Sequence, residues 1–392
     1  MNNHRLAFSE AAIDMLLADA LAGKASRWPR GVNDEQTLAR FGERIRYHGI
    51  GAILTELIGW PETWPREIGA AIKRDVLPRA LWELRHKIVL TELIATLTSK
   101  GIASILLKGT GMAYEYYSNP VLRTRGDTDL LIAVADLPAC RAELVSLGYY
   151  HDTGFQDVSD ELKFQEPWSL RCNDETLHHV DLHWQVLNSP ALEEVITYAD
   201  CVPNVTKLPR LSQDALTLNR TMMLVHTLLH RASHIVSPYL IDNKKFYGGD
   251  RLIWANDISL LSKAMSEPEW KLFCRFCLER GIAAVCLDGL RFASQTLSSP
   301  LPEFVIVELE SAPLNEPGSR YLLKSFQISR SMHDLAAMRG WSNKIRYIFA
   351  RLFPSRKFIR DKYPEMPGRP LILLYSRRLT EFFQARNRHV ES

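Results

Sequence analysis

Apolar residues recur at three- and four-residue spacing in EAAIDMLLADAL (10–21) and again from Leu81 to Leu97, which predicts helices over the first hundred residues, punctuated by Pro61, Pro65 and Pro78. The period then changes. Ala103 to Leu107 is a short apolar run ending at Lys108 and Gly109, read as a buried strand that feeds a helix through Gly109, Thr110 and Gly111 to about Tyr117. Asn119 and Pro120 stop that helix, and a basic loop with Arg123, Arg125 and Gly126 leads into DTDLLIAV. There Leu131 and Ala133 line one face and Leu130 and Ile132 the other, as expected of a central strand covered on both sides. A helix over Asp136 to Leu147 with Gly148 as its cap follows.

From His179 to Val186 the chain alternates. Val180, Leu182 and Trp184 mark a core face, and Asp181, His183 and Gln185 a face that looks at something polar. Beyond Pro190 the strand signals fade, and helical patterns span Ala215 to Ser237, Leu252 to Met265 and Trp270 to Leu287. No internal repeat is visible. The pattern predicts an α+β fold in which a small α/β core, residues 101–187, sits between an N-terminal helical region, 1–100, and a C-terminal helical region, 188–392.

Composition narrows the class. In 392 residues, 46% hydrophobic and 24% charged content excludes a disordered chain or a fibrous rod and allows two or three domains. The net charge of +3 hides an asymmetry: from Tyr321 to Ser392 there are 15 Lys/Arg against 5 Asp/Glu, while the first 320 residues carry 33 against 40. No signal peptide or membrane-spanning stretch is legible, which points to the cytoplasm and to reduced thiols for the six cysteines. Cys274 and Cys277 form a CxxC, but within a helical pattern and without partner ligands, so they read as buried thiols on one helix face.

The chemistry concentrates in the α/β segment. Asp127 and Asp129, two apart on a strand, emerge on one face roughly 6 to 7 Å apart along it. Carboxylates at that spacing can hold a pair of divalent ions, and Asp181 on the polar face of a neighbouring strand supplies a third. Oxygen ligands suit Mg²⁺ or Mn²⁺. Lys108 and the amides of Gly109 to Gly111 lie where a strand runs into a helix N-terminus, a place that favours an anion, and Arg123 and Arg125 could neutralise a triphosphate. A lone DxD also serves as a strand-end cap. Glycines after a strand, arginines, a carboxylate pair and a later lone aspartate together are more specific.

The string ILLKGTGMAYEYYSNPVLRTRGDTDLLI resembles the signature of the uncharacterised nucleotidyltransferase family, within the superfamily of DNA-polymerase-β-like nucleotidyltransferases, and HVDLHW (179–184) resembles that family's later strand with its single aspartate. Weaker similarity extends to HGIGAILTELI (48–58), RLIWANDISLL (251–261) and FPSRKFIRDKYP (353–364). The resemblance implies a polymerase-β-like palm core. It also implies metal-dependent transfer of a nucleotidyl group, most simply AMP from ATP, to an acceptor with release of pyrophosphate. In that reading Asp127 and Asp129 bind both ions and Asp181 the catalytic one, while Lys108, Gly109, Thr110, Arg123 and Arg125 bind the nucleotide. Better-known superfamily members carry a Gly-Ser pair where this chain has Lys108, Gly109 and Thr110. Transfer of the γ-phosphoryl group on the same two-metal site, and an inert nucleotide- or RNA-binding module, stay open as alternatives. The acceptor stays open between a protein, a small molecule, a glycan precursor and a tRNA.

Other residues are less specific. His183 shares a face with Asp181 and either lines the cleft or supports a ligand from behind. His226, His230 and His234 recur every four residues on one helix face, for packing, for lining the cleft or for metal. Arg251 and Asp257 lie on one helix and read as pairing it to neighbouring helices, and Trp168 and Trp184 read as core rather than as base-stacking platforms. The basic C-terminal tail either contacts nucleic acid or forms amphipathic helices with a solvated basic face.

Overall fold

The computed structural model describes residues 9–388 apart from 25, 31, 152–163, 236–238, 242–243, 247–248, 324–326, 339, 354–355 and 364. The predicted helix end at Ser237 and parts of the 353–364 run therefore lie outside the described residues.

The N-terminal region is helical: α1 (Glu10–Leu21), α2 (Glu35–His48), a π-helical turn (Ile53–Leu57) and α3 (Arg66–Ser99). Local chemistry sets the bounds. Asp34 caps α2 by accepting from the Thr37 amide, and Gly49 ends it at φ 70°. Pro65 caps α3, but Pro78 does not break it as the sequence reading expects. The 34-residue helix runs through Pro78, an exposed position on it.

Strands β1 (Ile105–Leu106), β2 (Asp127–Leu131), β3 (Tyr150–His151), β4 (Gln165–Arg171), β5 (Leu177–His183), β6 (Val205–Lys207) and β7 (Leu216–Leu218) form one mixed sheet in the order β3-β4-β5-β2-β1-β7-β6. Helices α4 (Lys108–Glu115) and α5 (Leu137–Ser146) lie between its early strands. The sheet thus extends past residue 187, because β7 pairs in parallel with β1 and brings β6 with it. The segment from Ala215 read as helix begins with this strand, and its helix starts later.

The remainder is mainly helical: α6 (Tyr198–Cys201), α7 (Arg220–His234), α8 (Leu252–Ala264), α9 (Glu267–Glu279), α10 (Ala283–Leu297), α11 (Glu303–Glu310), α12 (Pro317–Leu322), α13 (Gln327–Ala337), α14 (Trp341–Leu352), α15 (Arg356–Lys362) and α16 (Leu371–Arg388). The run read as one helix from Trp270 to Leu287 is two, broken at Gly281 with φ +62°. The free amides of Ala283 and Ala284 at the start of α10 donate to the Glu316 carboxylate at 2.9 and 2.8 Å. Cys274 and Cys277 are buried free thiols, and Trp168 and Trp184 are buried core.

The sheet is covered on both faces. Leu130, Ile132, Val180 and Leu182 share a core with Leu90, Leu93 and Leu97 of α3 and Leu144 of α5. Leu107, Leu131 and Leu218 belong to a larger core with α1, α2 and the helices α7 to α12. Because side chains alternate along β2, Asp127 and Asp129 share the face of Leu131 and look toward the α7 side.

Of the two glycines at the start of α4, Gly111 is the constrained one. An added Cβ there would press on Thr217 Oγ1 and sit 2.8 Å from Met223 Cε, whereas at Gly109 it would meet Arg125 at 3.5 Å, an ordinary contact. Gly111→Ala should therefore lower stability by about 1–3 kcal/mol through overpacking of α4 against β7, read as a fall in thermal midpoint, with Gly109→Ala near wild type.

Candidate active site

The register of β2 and β5 builds the site. The two strands run parallel with Asp127 opposite His179, Asp129 opposite Asp181 and Leu131 opposite His183. Neighbouring strands lie about 4.8 Å apart, so Asp129 and Asp181 stand side by side on one face. Carboxylate oxygens of Asp129 and Asp181 and a ring nitrogen of His183 lie within 4.8 Å of one another. Asp127 is two residues up the same face of β2.

Positive charge is built in around this cluster. The Lys108 ammonium donates to Asp129 Oδ1 at 2.6 Å, and His183 Nε2 donates to the same oxygen at 2.9 Å. Lys108 opens α4 at φ 42°, a left-handed conformation that costs of order 1–3 kcal/mol for a side-chain-bearing residue. The preceding residue is pinned, since the Leu107 amide donates to the Asp129 carbonyl at 3.0 Å. Backbone strain at Lys108 is thus coupled to placing a cation on Asp129. Gln165 Nε2 donates to Asp181 Oδ2 at 3.0 Å from β4.

The electrostatics follow. Burial would raise the Asp129 pKa, but the Lys108 ammonium and the His183 hydrogen bond outweigh it and hold the carboxyl well below its usual range. Burial would lower the Lys108 pKa, and the Asp129 carboxylate raises it instead. Asp127 and Asp181 are pushed the other way, raised by burial and by the negative charge of Asp129. Asp127 is reachable by solvent yet surrounded by protein on a concave surface, which strips hydration without closing the site. A group of carboxylates whose charges raise one another's pKa is a natural host for a cation. Two carboxylates with a third on the same face suit Mg²⁺ or Mn²⁺, and the imidazole of His183 is compatible with Mn²⁺.

The polar face of β5 is not open along its whole length. His183 has no accessible surface, and its second ring nitrogen, Nδ1, has no hydrogen-bond partner among the described residues. Behind it lies the α7 histidine face. His226 is fully buried with neither ring nitrogen partnered among the described residues, and burial together with the nearby Lys108 charge depresses its pKa to about 3. His230 packs edge-on against Trp254 and tilts against His234.

Both arginines of the loop are engaged within the protein. Arg123 is buried, with Nε 2.9 Å from each oxygen of Asp257 on α8, and Tyr117 donates to the same carboxylate at 2.7 Å. Arg125 donates to Glu83 of α3 at 2.7 Å and to Thr110 Oγ1 at 3.1 Å. Asp257 pairs with this loop, and Arg251 of the expected helix pair donates to the Tyr47 carbonyl. Thr110 is buried, its hydroxyl against that of Thr128, which faces α3 and His86 Nε2 at 2.7 Å. The loop therefore ties the sheet to α3 on one side and α8 on the other.

A cleft of about 660 Å³ opens between α3 and the loop that enters β2, lined among others by Trp82, Arg85, Arg123, Arg125, Gly126 and His179; Asp127, Asp129 and Asp181 are not among its lining residues. That is within the range of small-molecule sites. His179 was legible by its parity with Asp181 on β5; Gln165 and Trp82 carry no signal that marks them in sequence.

A mixed sheet with clustered carboxylates on adjacent parallel strands, beside a lysine at a helix start, is an α+β nucleotidyltransferase-like fold. The chain belongs to the uncharacterised nucleotidyltransferase family, which matches residues 34–298. No curated protein matches it. Among the described residues no helix is long and apolar enough to cross a membrane.

Removing the carboxylate of Asp257 leaves Arg123 buried without its partner, and breaking such a pair costs about 3–5 kcal/mol. Asp257→Ala should lower the thermal midpoint sharply, and the Arg123→Met, Asp257→Leu double variant should recover most of it; a single variant as stable as wild type would show the pair to be dispensable.

Proposed function

We propose that this protein transfers a nucleotidyl group, AMP from ATP, to an acceptor with release of pyrophosphate. The observation that supports this reading most strongly is the in-register adjacency of Asp129 and Asp181, with Asp127 on the same face of β2. Asp127, Asp129 and Asp181 are the proposed ligands for Mg²⁺ or Mn²⁺. When bound, such ions lower the pKa of an acceptor hydroxyl and stabilise negative charge on phosphate oxygens.

The chain's own groups have separable roles. Lys108 and the free amides at the start of α4 offer positive charge and donors to phosphate oxygens. Asp181, whose carboxyl pKa is raised above its usual value by burial and by the charge of Asp129, is suited to accept the acceptor's proton. Arg123 and Arg125 serve the triphosphate through the field they set at the cleft, their side chains being anchored by Asp257 and Glu83. His183 orients Asp129 through its hydrogen bond, and Gln165 does the same for Asp181. The 660 Å³ cleft gives room for the nucleotide or for the acceptor portion that meets it.

The test uses ATP labelled at either the α or the γ phosphate, with Mg²⁺ and pools of protein, tRNA, glycan-precursor and small-molecule acceptors. Label from the α position should enter an acceptor and fall at least about a hundredfold in Asp127→Asn, Asp129→Asn and Asp181→Asn. Label entering only from γ would reassign the protein as a kinase, and ATP binding without product from any pool would favour the inert module.

A further inference from the structure

The positive charge of the C-terminal region has a structural context that the catalytic reading does not use. In α14 the side chains of Trp341, Ile345, Ile348, Phe349 and Leu352 are 82%, 52%, 39%, 59% and 36% exposed. At 3.6 residues per turn these five positions fall within an arc of about 100°. The helix is amphipathic, yet its apolar stripe faces water rather than the core.

The stripe continues onto a second element. Phe353, 50% exposed, follows α14 directly, and its ring lies 5.7 Å from that of Tyr375 on α16. One turn before Tyr375, Ile372 is 73% exposed and Leu373 beside it 48%. Ile359, Tyr363 and Leu374 form a small core of their own, with Tyr375 packed against it. The α16 part of the apolar surface therefore rests on a packed support.

The charge around them has one sign. α14 contains no Asp or Glu, and Lys344 and Arg346 border its apolar arc on opposite sides. From Trp341 to Thr380 there are 10 Lys/Arg and 2 Asp/Glu, net +8. A helix with aromatic and branched apolar residues on one face and basic residues at its edges lies in the plane of a lipid–water interface, where the apolar face enters the acyl boundary and the cations meet anionic headgroups. Nucleic acid would match the charge but not an outward row of Trp, Ile and Phe. The other exposed apolar row, Leu77, Leu81, Leu84 and Ile88 of α3, borders the cleft through Leu81, and the cations beside it are engaged within the protein, Arg85 with Asp174 and Lys87 with the Arg210 carbonyl.

We propose that α14, with the adjoining face of α16, binds the surface of an anionic membrane, lying on it without crossing it. The proposal is independent of the chemistry at Asp129 and Asp181.

The test is flotation of the full chain with vesicles of phosphatidylcholine alone and of phosphatidylcholine containing roughly one-third phosphatidylglycerol. The protein should float with the anionic vesicles, weakly or not at all with neutral ones, and less as salt rises. Ile345→Ser with Phe349→Ser should weaken binding at least about tenfold while keeping every charge. Lys344→Glu with Arg346→Glu should weaken it by a similar factor while keeping the apolar face. All four positions are exposed or bordered by solvent, so both variants should keep the wild-type thermal midpoint. No flotation with anionic vesicles overturns the proposal, as does a serine variant that floats like wild type. Binding to an RNA duplex without vesicle binding would reassign the surface to nucleic acid. A dimer abolished by the serine substitutions, again without vesicle binding, would reassign it to a second copy of this chain.

Discussion

The structure turns on the parallel pairing of β2 with β5. That register sets Asp129 beside Asp181, an arrangement that repels itself unless positive charge is supplied at the same point. A one-residue slip would send the carboxylates to the opposite face, against α3 and its leucines. The fold answers the repulsion from two directions: Lys108 from the start of α4 and His183 from further along β5, both on one oxygen of Asp129. The strained backbone of Lys108 is consistent with a residue held in place for its charge.

The surrounding helices act as a frame for that point. The loop before β2 is gripped by Glu83 through Arg125 and by Asp257 through Arg123. Its start is gripped too, by Arg210, which donates to the carbonyls of Tyr117 and Ser118. Buried ion pairs of this kind add little net stability but are costly to break. They fix the position of the first residue of β2 relative to both helical regions. Two arginines whose spacing suggested direct phosphate contact are thus held by carboxylates of the protein itself.

Much of this was legible in the sequence, for identifiable reasons. The change of hydrophobic period at Ala103, the doubly apolar strand after Asp129 and the alternation around Asp181 each report a local constraint, and each strand appeared where its pattern placed it. The DxD spacing and the lone aspartate located the carboxylates because same-face parity on a strand depends on residue number alone. What the pattern missed depends on contacts between distant segments. Strands β6 and β7 are three residues each, too short for a period to show. Pro78 reads as a break but sits inside a helix held by the sheet. Alternation left His183 open between lining the cleft and supporting a ligand from behind; it is fully buried and donates to Asp129, and nothing in its own strand could choose between the two. The roles of Glu83 and Asp257 lie 42 and 134 positions from their arginines, beyond the reach of any motif.

If Asp129 and Asp181 together hold a divalent cation, the protein binds Mn²⁺ without nucleotide, which the electron paramagnetic resonance signal of the free ion measures. Saturable binding is expected, weakened about tenfold or more by Asp129→Asn and by Asp181→Asn under conditions where circular dichroism shows each variant folded. Equal Mn²⁺ affinity in wild type and both variants would contradict it.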